Sequence, residues 1–300
     1  MSKFQIFTDS SSDLSKELRK EYGIEYFQMG ITVRGESYPA DLDYDAYSFE
    51  QLYAWIADTS NQCKTAMVNP LEFENKMVPY LEKGYDILYI ACSSALTSTQ
   101  NVFSLVRSEL QDRFPDRKMI CIDSLIAAYG LGWLTIDARK QQLNGASIEE
   151  VVDWCEANKF KYNQCVTVET LTYLKAAGRV KGTAAFFGNL LGVKPIFISD
   201  RKGNNFVIKK VKGTKNALNE IFEQTKAKIH KDECNKVVVV QGDAMDNALK
   251  LKERLETELG VEVEIASLGP IIGITCGPGC VGTYCFGEEV TRFDGDGILE

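Results

Sequence analysis

Short apolar runs alternate with amphipathic stretches through the first half of the chain. Phe4–Phe7 has the length of a buried strand, and the positions from Leu14 to Tyr22 repeat at helical spacing until Gly23 ends them. Between the two lies Thr8-Asp9-Ser10-Ser11-Ser12-Asp13, a crowd of short oxygen-bearing side chains of the kind that cap a helix. Ile24–Val33 reads as the next strand and Arg34-Gly35-Glu36 as a turn, while Ser48-Phe49-Glu50-Gln51 is a capping box opening a helix through Ala57. Asn69-Pro70 starts another helix, with asparagine as cap and proline at the first helical position. Asp86–Cys92 and Met119–Asp123 are apolar runs of strand length, each passing into hydroxyl-rich residues and a new helical pattern. This βα rhythm predicts a Rossmann-like wound parallel sheet, and ligands of such sheets bind at the carboxyl ends of the strands.

A second capping box, Ser147-Ile148-Glu149-Glu150, starts a helix ending near Lys159, and Gln164–Glu169 begins a fresh strand. The domain boundary therefore falls near residue 162, giving an N-terminal α/β domain over 1–162 and a C-terminal one over 163–300. Beyond it come two short helical stretches between Leu171 and Leu191, a hairpin-like segment from Lys194 to Gly213, and a helix over Lys215–Ile229. Val237–Gln241, a helix to Leu259 and Val261–Ala266 complete the pattern. Sequential strands joined at Gly203-Asn204-Asn205 predict antiparallel pairing, hence a C-terminal α/β sandwich on a mixed or antiparallel sheet. Leu268–Gly287 is free of charge and long enough to span a bilayer, but its six glycines and two prolines make it a loop and strand of a soluble domain.

Charge narrows the partners. With 34 basic against 42 acidic residues the net charge is −8, so no broad positive field exists to hold a nucleic-acid backbone. Nine scattered cysteines, an odd number, behind an N-terminus without an apolar leader fit a reducing cytoplasm. Cys276, Cys280 and Cys285 lack the paired spacing of a structural zinc site and have no histidine nearby, so structural thiols and no metal are expected.

Hydroxyl clusters follow three of the predicted strands: Thr8–Ser12, Ser93-Ser94 with Thr97-Ser98-Thr99, and Ser124. Capping accounts for one or two hydroxyls at each place and leaves a surplus. Neutral donors beside helix N-termini suit a carboxylate or phosphate. Neither G-x-x-x-x-G-K-[ST] nor a strand-linked G-x-G-x-x-G occurs, which disfavours a nucleotide-hydrolysing domain. His230 is the chain's one histidine and stands at the end of a lysine-rich helix, where a cation complements the C-terminus; a Ser-His acyl-transfer pair is therefore disfavoured. The Gly- and Pro-rich run from Gly269 to Gly282 reads as a tight turn that also lets backbone approach a ligand.

Taken together these segments resemble the DegV family of bacterial fatty-acid-binding proteins, the carrier subunits of fatty acid kinase. The matches are TDSSSDL at 8–14, TAMVNP at 65–70, SSALTST at 93–99, DSLIAAYGLG at 123–132, LKAAGRV at 174–180, VKPI at 193–196 and IGITCGPG at 272–279. The resemblance implies two α/β domains with one long-chain fatty acid buried between them and no other cofactor. It implies that the carboxylate lies near Thr65, Ser93 or Ser94, and Thr275, with Ser10, Ser11, Arg179, Gly277 and Gly279 as further head-group or phosphate contacts. Thr275 stands where the family has histidine, so a neutral hydroxyl replaces a titratable ring. A separate ATP-dependent kinase subunit is implied as partner, making acyl phosphate for phospholipid synthesis, with no catalytic residue in this chain and no stable membrane insertion. The alternative is a serine-dependent acyl hydrolase or acyltransferase working near Ser94. Burying about fifteen methylenes at roughly 0.8 kcal/mol each offers about 12 kcal/mol gross, so the tail supplies affinity and the hydroxyls supply orientation.

Overall fold

The computed structural model describes residues 3–180 and 192–292. Its first half runs β1 (Phe4–Asp9), α1 (Lys16–Tyr22), β2 (Glu25–Phe27), β3 (Gly30–Val33), β4 (Glu36–Pro39), α2 (Phe49–Ala57), β5 (Lys64–Ala66), α3 (Pro70–Glu82), β6 (Asp86–Ala91), α4 (Thr99–Arg113), β7 (Met119–Asp123), α5 (Ala128–Leu143) and α6 (Ile148–Asn158). The second half runs β8 (Tyr162–Thr167), α7 (Thr172–Ala177), β9 (Val193–Ser199), β10 (Asn205–Lys212), α8 (Thr214–Lys228), β11 (Lys236–Gly242), α9 (Met245–Arg254), β12 (Glu262–Ser267), α10 (Pro270–Cys276) and β13 (Cys280–Phe286).

An all-parallel sheet has the order β2-β1-β6-β7. The chain winds outward one way from β1 and the other way from β6, so the topological switch point lies between these two strands, where crevices open in wound sheets. A mixed sheet of six strands has the order β10-β9-β8-β13-β11-β12, antiparallel except for β11 with β12.

Both large sheets are buried on both faces, and alternation along the strands assigns each residue to a core. Ile6 and Leu88 face one way with the side of the mixed sheet carrying Val238 and Val240, whereas Phe7 and Tyr89 face α2, α3 and α4. Val237 and Val239 on the opposite side of the mixed sheet pack under α8 and α9. The shared central layer holds α5, which is buried almost all round, from Ala128 through Ile136, because a sheet covers it on either side. Gly132 is necessary there: a β-carbon would sit 2.6 Å from the Ser12 carbonyl.

Several elements depart from the expectations. The run Ile24–Val33 is two strands, because Gln28 N–H turns aside to Glu72 Oε1 (2.9 Å) and Met29 N–H to Ser10 Oγ (2.9 Å). β2 stays in the parallel sheet, and β3 joins a small antiparallel sheet of order β4-β3-β5 that no periodicity announced. Thr8–Ser12 does not cap α1. Asp9 caps a 3-10 turn over Ser10–Ser12, Asp13 takes the left-handed conformation (φ 53°), and Ser15 is the residue that accepts from Leu18 N–H to start the helix. The expected loop at Leu268–Gly287 contains α10 before the turn into β13. The hairpin turn is Asp200–Asn204, held by Asp200 Oδ1 on the N–H groups of Lys202 and Asn204, so Asn205 is already strand. The expected helical stretch after Val180 lies outside the described residues as far as Leu191. Among the described residues no helix is long and apolar enough to cross a membrane.

Candidate functional site

The crevice is assembled on Asp9, the last residue of β1. Its carboxylate is buried and accepts four hydrogen bonds: the N–H and hydroxyl of Ser11 on Oδ1, Tyr89 O–H (2.7 Å) and Cys92 N–H (3.0 Å) on Oδ2. Asp9 thereby clips the carboxyl ends of β1 and β6 together at the switch point. Ser93, one residue on, donates to Gly203 O (2.8 Å) in the β9–β10 turn and ties the first half of the chain to the second. Gly203 has φ 77°, and any β-carbon there would collide with Ser93 Oγ.

From this point a cavity of about 270 Å³ extends between the parallel sheet, α10 and the mixed sheet. Its floor is Val166, Phe197 and Val240 on the inner face of the mixed sheet, with Leu268 before α10 and Ile271 and Ile272 in its first turn on another side. Met29, Cys92, Cys276 and Cys280 add sulfur to the lining. Burial pushes the Cys92 thiol well above its ordinary range, and contact with the Cys276 thiol together with burial does the same to Cys280, so these are protonated, apolar wall groups. No cluster of metal-ligating side chains occurs among the described residues.

Exposure gives the cavity a direction. Thr65, Met67, Ser98 and Arg179 are exposed and form its mouth, while Phe197 and Val240 are each 1% exposed and lie at depth. At the mouth, Ser98 heads the fifteen-residue helix α4 without capping it by its side chain, and Thr65 has no side-chain hydrogen bond among the described residues. Two uncommitted hydroxyls thus stand at the mouth, that of Ser98 at the positive end of a helix. The SSALTST segment marks Ser98 only as one hydroxyl of a cluster; the fold alone sets it at the mouth.

The candidate residues divide sharply. Thr65, Ser11, Arg179 and Thr275 line one cavity. Ser11 spends its proton on Asp9, and Thr275 donates to Ile271 O (2.7 Å) one helical turn back, leaving only oxygen lone pairs toward the cavity. The Arg179 guanidinium donates to Leu96 O (2.8 Å) at the rim. Ser10 bonds Ala40 O (2.8 Å), Ser93 bonds Gly203 O, and Ser94 is exposed; none of the three is part of the lining. Gly277 (φ 78°) and Gly279 (φ 84°) also stand outside it, shaping the turn where Gly277 lies against the Tyr173 ring and Gly279 N–H reaches Gly242 O (2.8 Å). His230 sits remote from the cavity between Glu233 (2.9 Å) and Glu288 (3.0 Å), which raise its pKa.

Asp13 buttresses the same region. Its Oδ1 accepts Gly269 N–H (2.9 Å) ahead of α10, while Oδ2 has no partner. Burial raises its pKa well above the ordinary carboxylate value of 3.8, against the lowering effect of the Gly269 N–H, and the Asp9 charge adds to the rise; Tyr44, Tyr53 and Tyr284 also face it. Above 3.8 the unfolded chain releases this proton while the folded chain keeps it, so stability falls as pH rises toward the folded value. Asp13→Asn keeps the acceptor and tolerates positive φ. It is expected to stabilise the protein by at least about 1 kcal/mol at pH 7, with the advantage vanishing toward pH 4, as urea titrations at several pH values would show.

Fold and site define an α/β protein built on two large sheets, with a largely apolar cavity between them and a polar mouth. The chain belongs to the DegV family: the model described as uncharacterised protein, DegV family, matches residues 3–288. The DegV domain-containing protein CPE0026 of Clostridium perfringens is 30% identical, over 96% of this chain and 99% of its own. A fatty-acid-binding DegV family protein from Thermus thermophilus has the same fold with a TM-score of 0.84 at 24% identity, covering 96% of this chain and 100% of the other. A stearic acid-binding protein from Eubacterium ventriosum superposes with a TM-score of 0.82 at 21% identity, over 94% and 97% of the two chains.

Proposed function

We propose that this protein is a carrier that binds one long-chain fatty acid, with the acyl tail in the inter-sheet cavity and the carboxylate at its mouth. The observation that carries this reading is the change of polarity along one cavity: uncommitted hydroxyls of Thr65 on β5 and Ser98 at the N-terminus of α4 at the mouth, with walls of Val, Ile, Leu and Phe behind them. A carboxylate there gains charge-assisted hydrogen bonds from neutral donors, and the tail is withdrawn from water. Fatty acid binding by the Thermus and Eubacterium proteins of the same fold supports the assignment.

The carrier makes no acyl phosphate by itself. A separate ATP-dependent kinase subunit phosphorylates the carboxylate where it meets solvent, next to the exposed Arg179, and the chain works in the cytoplasm in service of phospholipid synthesis. The absence of a phosphate-cradling loop in the sequence and the outward position of the head group support this division. The hydrolase reading is disfavoured because Ser94 stands outside the cavity lining, Ser93 directs its proton to a backbone carbonyl, and His230 is engaged elsewhere by two glutamates.

Solvent extraction of the purified protein followed by mass spectrometry is expected to yield a stoichiometric long-chain acid; an empty protein that turns over acyl esters would reverse the reading. Thr65→Val and Ser98→Ala are each expected to weaken binding of the acid by about 1–3 kcal/mol and to leave the matched methyl ester nearly unaffected in isothermal titration. Equal losses for acid and ester would move the carboxylate elsewhere.

A further inference from the structure

One wall of the cavity is not apolar, along a row that begins beside Arg179 at the mouth. On the inner face of the mixed sheet, Gln164 of β8 stands opposite Tyr284 of β13, and Asn205 of β10 opposite Ser199 of β9. These four form one row: Tyr284 O–H donates to Gln164 Oε1 (2.8 Å), Ser199 O–H to the same oxygen (3.4 Å), Gln164 Nε2 to Asn205 Oδ1 (3.2 Å), and Asn205 Nδ2 to Arg179 O (3.0 Å). Two residues further along β8 the facing row is Val166 with Phe197 and Val240. The wall therefore changes from apolar to amide and phenol within one pleat.

Gln164, Asn205 and Tyr284 line the cavity and are 6%, 9% and 3% exposed. All have a partner, yet their capacity is not used up. Each amide NH₂ carries two hydrogens and donates one in the row, and the Tyr284 oxygen accepts nothing there. Spare donors and a spare acceptor thus belong to side chains that line the space into which the acyl chain runs. A run of plain methylenes would desolvate these groups without return, whereas a hydroxyl both donates and accepts.

Resting on the fatty-acid reading above, we propose that the acid this chain selects bears a hydroxyl group along its acyl chain, seated on Gln164, Asn205 and Tyr284. The mouth holds the carboxylate, and the row running across the sheet from Asn205, beside Arg179, to Tyr284 fixes where the second oxygen sits. Hydroxylated long-chain acids are the ligand class, and the position of the hydroxyl is the property discriminated.

Calorimetric titration of the delipidated protein with octadecanoic acid and a positional series of its monohydroxylated derivatives tests this. One isomer is expected to bind at least about tenfold more tightly than the parent acid, the scale of one net hydrogen bond. Gln164→Met combined with Tyr284→Phe, and Tyr284→Phe alone should the pair fail to fold, are expected to reduce that preference while the parent acid still binds. A wild-type protein that binds the parent acid as well as every isomer overturns the inference and leaves the carrier reading intact. Survival of the full preference in the folded double variant also overturns it, and failure of every acid to bind removes both readings.

Discussion

Replacing Asp9 by alanine is expected to destabilise the ligand-free protein by about 3–5 kcal/mol, the largest effect of any single polar substitution considered. Four donors converge on this carboxylate, two from Ser11 and one each from Tyr89 and Cys92, and all three partners are at most 4% exposed. Removing the acceptor strands those donors in a region water does not reach, and each stranded group carries its full desolvation penalty. The clip between β1 and β6 is lost with it, so acid binding should fall in parallel. A shift in the urea midpoint at unchanged slope measures the effect. A loss below about 1 kcal/mol would mean that the strand ends are held by their backbone ladder and the packing around Tyr89 alone.

Stripping the bound acid is expected to have a comparable effect on a sequence that is unchanged. A ligand at a thousandfold excess over its dissociation constant stabilises the folded state by about 4 kcal/mol, which for a chain of this size corresponds to roughly 6–8 °C in melting temperature. Delipidated protein should melt lower by that order, and a long-chain acid should restore the original value in a concentration-dependent way. A short-chain acid with the same carboxylate should not, because the apolar walls at Val166, Phe197 and Val240 would stay uncovered. Full restoration by the short acid would place the binding energy in the head group and remove the tail from the cavity.

The glycine near the start of α5 shows how a local motif serves a distant contact. Gly130 is expected from sequence only as part of a motif, yet in the fold a β-carbon there would press on the Tyr284 ring at 2.8 Å, so α5 can lie against the polar row only where that position is bare. Similar long reaches hold the rest of the site. Tyr53 O–H donates to Leu268 O (3.0 Å), and Asp13 holds Gly269 N–H, joining residues more than 200 positions apart.

By itself the sequence determined which segments are buried and where many helices begin. Alternation put Ile6 and Phe7, or Val237 and Val238, on opposite faces of their sheets, and Ser147 with Glu150 closed the capping box it spelled. These features are local: they depend on neighbours within a turn or a pleat. Tertiary structure alone decided that Ile24–Val33 breaks into two sheets, since the acceptors that interrupt it are Glu72 and Ser10. It alone decided which hydroxyls remain available to a ligand. Ser93 and Thr275 carry the same chemistry as Thr65 and Ser98, but the first two give their protons to Gly203 and Ile271 carbonyls, and a hydroxyl has only one proton to give.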